Sequence, residues 1–415
     1  MIKFRYARYG VLIAALGLSA VSGMAPTPAF AQATETVKAS IGTLLHEASD
    51  LAKAKKYKDA LSKIRDADAI PGKTAYESYV IESTRGSYAM AAGDKETAVK
   101  AYEAVVSSGR LSGPQKLSMY EALGDTYYGM NNLQKAQTWY GRYLSEGGED
   151  PKIKQLMTQI SFLSGDCSKV SKDINANVRA DEKAGKVPAE GDLQMLANCM
   201  KNDKTGYVVA LEKLTTYYPK KDYWKDLLNR LPTKPGYSER LLLDMYRLKQ
   251  DLGQLTALND YMEMSQLALQ AGLPAEAQKI IDQGYKAGVF GVGPEAARHQ
   301  RLKDLAAKNA AADLKALPQT TAAANSATEG TGLVNLGFAY VTAGQYPKGI
   351  DLMEQGIAKG NLNHPDDAKL HLGIALLWAG KKNDAIKMLK SVQGADGTAD
   401  LARYWIIQAN RPIGK

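Results

Sequence analysis

The chain has little of what catalytic and metal centres are usually built from. Its 415 residues include two cysteines and four histidines. His46, His299, His364 and His371 fall in separate segments, and His364 precedes Pro365 in a turn, so the interval to His371 does not place both on one helix face. No pair therefore has the spacing of a metal site. A Gly-x-Ser-x-Gly elbow is missing, and neither cysteine sits in a recognisable nucleophile setting. "IPGKTAY" (70–76) ends like a phosphate-binding loop, but Ala67 stands where that loop needs its first glycine. "GVFGVGPEA" (288–296) departs from the dinucleotide fingerprint and follows no strand pattern, so it reads as a turn before a helix opened by Pro294. No cofactor, metal or catalysis is expected. A hydrolase would need carboxylates assembled from distant segments, and no spacing points to one.

Concentrated charge is also missing. Lys and Arg total 53 against 44 acidic residues, but Lys3, Arg5 and Arg8 belong to a leader, leaving 50 against 44, a net +6. With no basic block, a nucleic-acid partner is not expected. Long apolar runs are confined to the start. "MIKFRYARYG", "VLIAALGLSAVSG" and "MAPTPAFAQA" form the basic, apolar and small-residue parts of a secretory signal peptide over 1–31, with cleavage expected after Ala31. The apolar core is short of the about 20 residues that span a bilayer, and no cysteine follows the cleavage point to carry a lipid. The expected destination is a bacterial periplasm or the exterior. In such an oxidising compartment Cys167 and Cys199 are expected to pair, with two buried thiols as the alternative.

What the sequence does have is a repeat. "YEALGDTYYGMNNLQKAQTWYGRYL" (120–144) carries Gly124, then Ala136 and Tyr140; "ESTRGSYAMAAGDKETAVKAYEAVV" carries Gly86, Ala98 and Tyr102, 38 residues earlier. "LLHEASDLAKAKKYKDALSKI" has Ala48, Ala60 and Ile64 in the same register. Near the C-terminus, Gly337 with Gly349, and Gly373 with Ala385 and Leu389, follow it again. "AAGDKE", "TAGQYP" and "WAGKKN" each place a glycine at a helix end. A glycine inside a helix costs about 1 kcal/mol relative to alanine. Close packing of two helices, with the small residue of the first facing the alanine of the second, is the expected compensation.

These segments resemble tetratricopeptide repeats, whose period is about 34 residues. The resemblance implies an all-α solenoid: a right-handed superhelix of antiparallel helix pairs whose first helices line a groove. Four regions are expected: signal peptide 1–31; repeat solenoid 32–316; linker 317–332, from the low charge of "LPQTTAAANSATEGTG"; and a repeat pair over 333–415 closed by a capping helix at "ADLARYWIIQAN" (399–410).

Groove positions follow by counting from each glycine. In one repeat they include Glu121, Asp125 and Tyr128, a polar set; in the last two they include Val334, Phe338, Val341, Leu370, Ile374, Leu377 and Trp378, an apolar set. The apolar set either docks a partner or is covered by the closing helix with Tyr404, Trp405 and Ile406. The Lys and Asn set with which chaperone-cofactor repeats hold a C-terminal carboxylate is missing, since Glu121 and Asp125 stand in its place. The expected function is a non-catalytic exported scaffold binding cell-envelope proteins. The alternative is a polysaccharide binder using aromatic surfaces, motivated by 23 tyrosines against 5 phenylalanines.

Overall fold

A computed structural model describes residues 35–411, and the expected leader lies outside them. Among the described residues every regular element is helical. The chain divides into two compact units, one ending at Asp166 and the other beginning at Cys167.

The N-terminal unit holds α1 (Ala39–Lys53), α2 (Tyr57–Asp68), α3 (Ala75–Ala92), α4 (Lys95–Ser107), α5 (Gly113–Gly129), α6 (Leu133–Ser145) and α7 (Pro151–Leu163), each packed on the next. Their ends are written in the sequence. Thr74 and Glu77 form a reciprocal capping box at the start of α3. Asp94 and Asn132 accept backbone hydrogen bonds at the starts of α4 and α6. Gly93, at φ 79°, ends α3 in the left-handed conformation.

The repeat glycines explain the pairing, with one correction. Gly124 faces Tyr140, sixteen residues on, and not Ala136: a Cβ added to Gly124 would lie 2.5 Å from Cδ1 of that ring. Gly86 meets Tyr102 in the same way, and Gly373 meets Leu389. The large residue of the second helix thus fills the notch, while Ala136 is buried beside it. Tyr140 is fully buried. Enclosing a ring of 150–250 Å² is worth on the order of 4 to 6 kcal/mol at ~25 cal/mol per Å², which outweighs the ~1 kcal/mol propensity cost of glycine.

The C-terminal unit starts with α8 (Cys167–Lys183), α9 (Glu190–Cys199), α10 (Lys204–Tyr217) and α11 (Lys221–Arg230). A disulfide joins Cys167 to Cys199. Then come α12 (Leu242–Asp251), α13 (Leu258–Gln270), α14 (Pro274–Lys286) and the long α15 (Ala296–Ser326). The unit ends with α16 (Thr331–Thr342), α17 (Tyr346–Lys359), α18 (Pro365–Trp378), α19 (Lys382–Leu389) and α20 (Thr398–Asn410). In the α16/α17 pair the small residues do face one another: a Cβ on Gly337 would sit 2.5 Å from the Gly349 carbonyl.

The linker expected over 317–332 is corrected by α15, which continues through Pro318 to Ser326. Two physical reasons make this possible. Leu317 and Ala324, seven residues apart, are buried with Leu333, Leu336 and Tyr340. Pro318 leaves the Leu314 carbonyl without its helical partner, but both residues are exposed, on a side of the helix where solvent can take that partner's place.

Helix α20 packs on α18 and α19 and also reaches back to α10 and α12, closing the unit on itself. Tyr404 and Trp405 are buried, and Tyr404 meets Trp224 edge-on at 6.3 Å. Polar ties fix the closure: Arg403 to Glu212 at 2.9 Å, Lys234 to Asp400 at 2.6 Å, and Gln408 to Asp251 at 3.0 Å.

Candidate binding surfaces

In the N-terminal unit the polar set stays accessible. Glu121, Asp125 and Tyr128 are half-buried on α5, with Ser118 and Gly129 exposed beside them. On α3 the matching positions Val80, Ser83, Ser87 and Met90 are also half-buried. The Tyr140 hydroxyl, reaching past Gly124, donates to Asp125 Oδ1 at 2.6 Å. Burial lifts the Asp125 carboxyl above the ordinary range, with Asp150 adding to the rise and the Tyr140 hydrogen bond and Lys152 opposing it. Burial raises Glu121 as well, reinforced by Asp125 and Asp150 and opposed by Lys152. Sharing Asp125, the Tyr140 phenol is pushed far up, first by burial and then by that carboxylate. Two partly desolvated carboxyls with one nearby lysine make a face that gains from a cation brought by a partner.

Lys152 and Asp150 escape the repeat register because α7 has no glycine. Thr158, buried 34 residues after Gly124, holds that position. Counting back from it places Lys152 on the same side.

The apolar set in the C-terminal unit is covered. Val334, Phe338, Val341, Leu370 and Ile374 are buried, and only Leu377 and Trp378 remain partly accessible. This corrects their assignment as a partner-binding groove. Val334 and Val341 pack against Gly356 and Gly349 of α17, and α12 covers Phe338: the Arg247 guanidinium lies 4.7 Å from its ring centre, and His371 of α18 stacks on the same ring at 4.7 Å. Arg247 donates to both oxygens of Glu276 at 2.8 and 2.7 Å and to Asp244 at 2.6 Å. His371 Nε2 donates to Asp244 at 2.9 Å. Burial works against the Asp244 charge, but His371 and Arg247 overcome it and hold its carboxyl below the ordinary range. A buried arginine is tolerable only with such complete pairing. Its sequence signal, Asp244 and Arg247 one helical turn apart, carries no hint of Glu276 or His371.

Between α12, α14, α16 and α18 a cleft of about 240 Å³ remains, lined by Gln250, Glu276, Gln283, Val341, Tyr346 and Trp378 among others. Among the described residues no group of His, Cys, Asp and Glu is arranged to hold a metal, and no helix is long and apolar enough to cross a membrane.

Residues 83–151, from within α3 to the first residue of α7, match the family model of the tetratricopeptide repeat. Over these residues the chain is similar to that family. The repeats are a fold for binding other proteins. No curated protein sequence matches the chain. Among solved structures, a tetratricopeptide repeat protein from Parabacteroides merdae is 13% identical, with 81% of this chain and 99% of that one covered, at a TM-score of 0.31. The TPR2AB-domain:pHSP90 complex of yeast Sti1 is 14% identical over 64% of this chain and 98% of that one, also at 0.31. Yeast Tom70 is 11% identical over 89% and 95%, at 0.25. Overlap at such scores places no residue of this chain.

Some of the tyrosines that motivated a polysaccharide surface are spent on packing. Tyr102, Tyr127, Tyr140 and Tyr340 are buried against neighbouring helices.

Proposed function

We propose that the protein is an exported, non-catalytic scaffold that binds other proteins of the cell envelope through the α3/α5 face of its N-terminal unit. One observation carries this reading. Glu121, Asp125 and Tyr128 remain accessible in the tetratricopeptide repeats, whereas the matching positions of α16 and α18 are buried by the chain itself. The partner segment is one that presents Lys or Arg to the two carboxyls and an apolar side chain to Tyr128 and Met90. Export rests on the leader composition of residues 1–31.

The test is crosslinking in living cells, followed by purification from the envelope fraction, with wild type beside a Glu121→Lys/Asp125→Lys double variant. A specific protein recovered with wild type and lost with the variant, at unchanged helical content, supports the reading. Recovery that is equal in both removes this face as the binding site, and a chain that retains residues 1–31 in the cytoplasm removes export.

A further inference from the structure

We propose that the cleft between α12, α14, α16 and α18 is a binding site for a single uncharged pyranose ring. The inference concerns the C-terminal unit and does not depend on the protein-binding face of the other.

The lining decides the ligand class by exclusion. A cation finds no free carboxylate, because both oxygens of Glu276 are taken by Arg247. A phosphate or other strong anion meets only Lys279, whose Nζ already donates to the Thr342 carbonyl at 2.6 Å; anion sites converge several donors. Gln250 and Gln283 bond to one another through a single hydrogen bond of 2.6 Å at the edge of the cleft and have further donors and acceptors to offer. A ligand with hydrogen-bonding atoms of its own uses them, and a purely apolar one does not.

What remains is a neutral molecule with apolar faces and a hydroxyl rim. Trp378 and Tyr346 supply the platform, Ile280 and Val341 the apolar wall, and the two glutamines the rim donors and acceptors. Trp378 is held flat by stacking on Phe338 at 6.0 Å, so its orientation is set before anything binds. An aromatic platform with a few convergent polar groups is the usual make-up of a small-molecule site, and the open cleft of about 240 Å³ has room for one ring. Trp378 is also the only one of the four tryptophans that is not buried, which gives the site its own optical probe.

The test uses the purified full-length mature chain. Methyl β-glucopyranoside and N-acetylglucosamine are titrated with tryptophan emission and saturation-transfer NMR as readouts, beside methyl glucuronide as the charged counterpart. Expected is a saturable change with at least one neutral sugar, lost in Trp378→Ala and weakened about tenfold in Gln283→Ala, the size of one lost hydrogen bond. Gln283 is exposed, so that variant decides the matter if Trp378→Ala fails to fold. No saturation with either neutral sugar, saturation only with the glucuronide, or binding indifferent to Gln283→Ala would each overturn the proposal.

Discussion

Replacing Gly124 with alanine sets two effects of known sign against each other. Helix propensity alone favours Gly124→Ala by about 1 kcal/mol. Packing opposes it, because the new Cβ would stand 2.5 Å from both Cδ1 and Cε1 of Tyr140. The ring cannot step aside freely: it is fully buried, and its hydroxyl is held by Asp125 at 2.6 Å. Overpacking of this kind costs about 1–3 kcal/mol, and a loosened hydrogen bond to a charged group adds about 1.5–3 kcal/mol. The net expectation is a loss of about 1.5–5 kcal/mol, the sum of these costs less the propensity gain. Gly141, on α6, is the internal control, because nothing lies within 4 Å of the place its methyl would take; Gly141→Ala should stabilise by up to about 1 kcal/mol. Urea unfolding followed by circular dichroism measures both from the shift in midpoint. A Gly124→Ala chain as stable as Gly141→Ala would refute the claim that the glycine is kept for the ring.

Three further outcomes are expected. Arg247→Met leaves Glu276 buried without its partner and Asp244 with His371 alone, and should cost about 3–5 kcal/mol, read as a fall in thermal midpoint; a change under about 1 kcal/mol would contradict the burial of that network. Reduction of the purified protein should add about 2 Da for the single bridge, and Cys167→Ser should cost about 3 to 4 kcal/mol for a loop spanning 32 residues; unchanged mass on reduction would mean that the bridge does not form. Asp125 has a raised folded pKa, so the folded chain holds its proton more tightly than the unfolded chain. Its contribution therefore grows as pH falls from above the raised value toward the ordinary aspartate value of ~3.9. Asp125→Asn should flatten that part of the stability profile while keeping the Tyr140 hydrogen bond, and an unaltered slope would contradict the assignment.

How much of this is legible in the sequence depends on distance along the chain. Helix pairs and their glycine turns follow from local spacing, so Gly86, Gly124, Gly337 and Gly373 mark real close contacts. Spacing alone points to Ala136 or its equivalent as the partner of each glycine, because small-on-small packing is one solution and ring-on-glycine another, and composition does not choose between them. Low charge and a proline at 317–332 look like a linker; Leu317 and Ala324 override that signal by burying against α16. The covered face of Phe338 is out of reach for a different reason. Arg247 lies 91 positions before Phe338, and nothing in either segment announces that α12 will lie across α16. Glu121, Asp125 and Tyr128 can be found by counting from Gly124, whereas Asp150 and Lys152 cannot, because α7 has no glycine to count from.

Which of the two equivalent faces is open decides where a partner protein binds. A photo-crosslinking residue placed at Tyr128 and, separately, at Phe338 would compare them directly in living cells. The expected result is a discrete protein adduct at Tyr128 and none at Phe338. An adduct at Phe338 with none at Tyr128 would mean that the C-terminal face opens to receive the partner, and would contradict the assignment of the α3/α5 face.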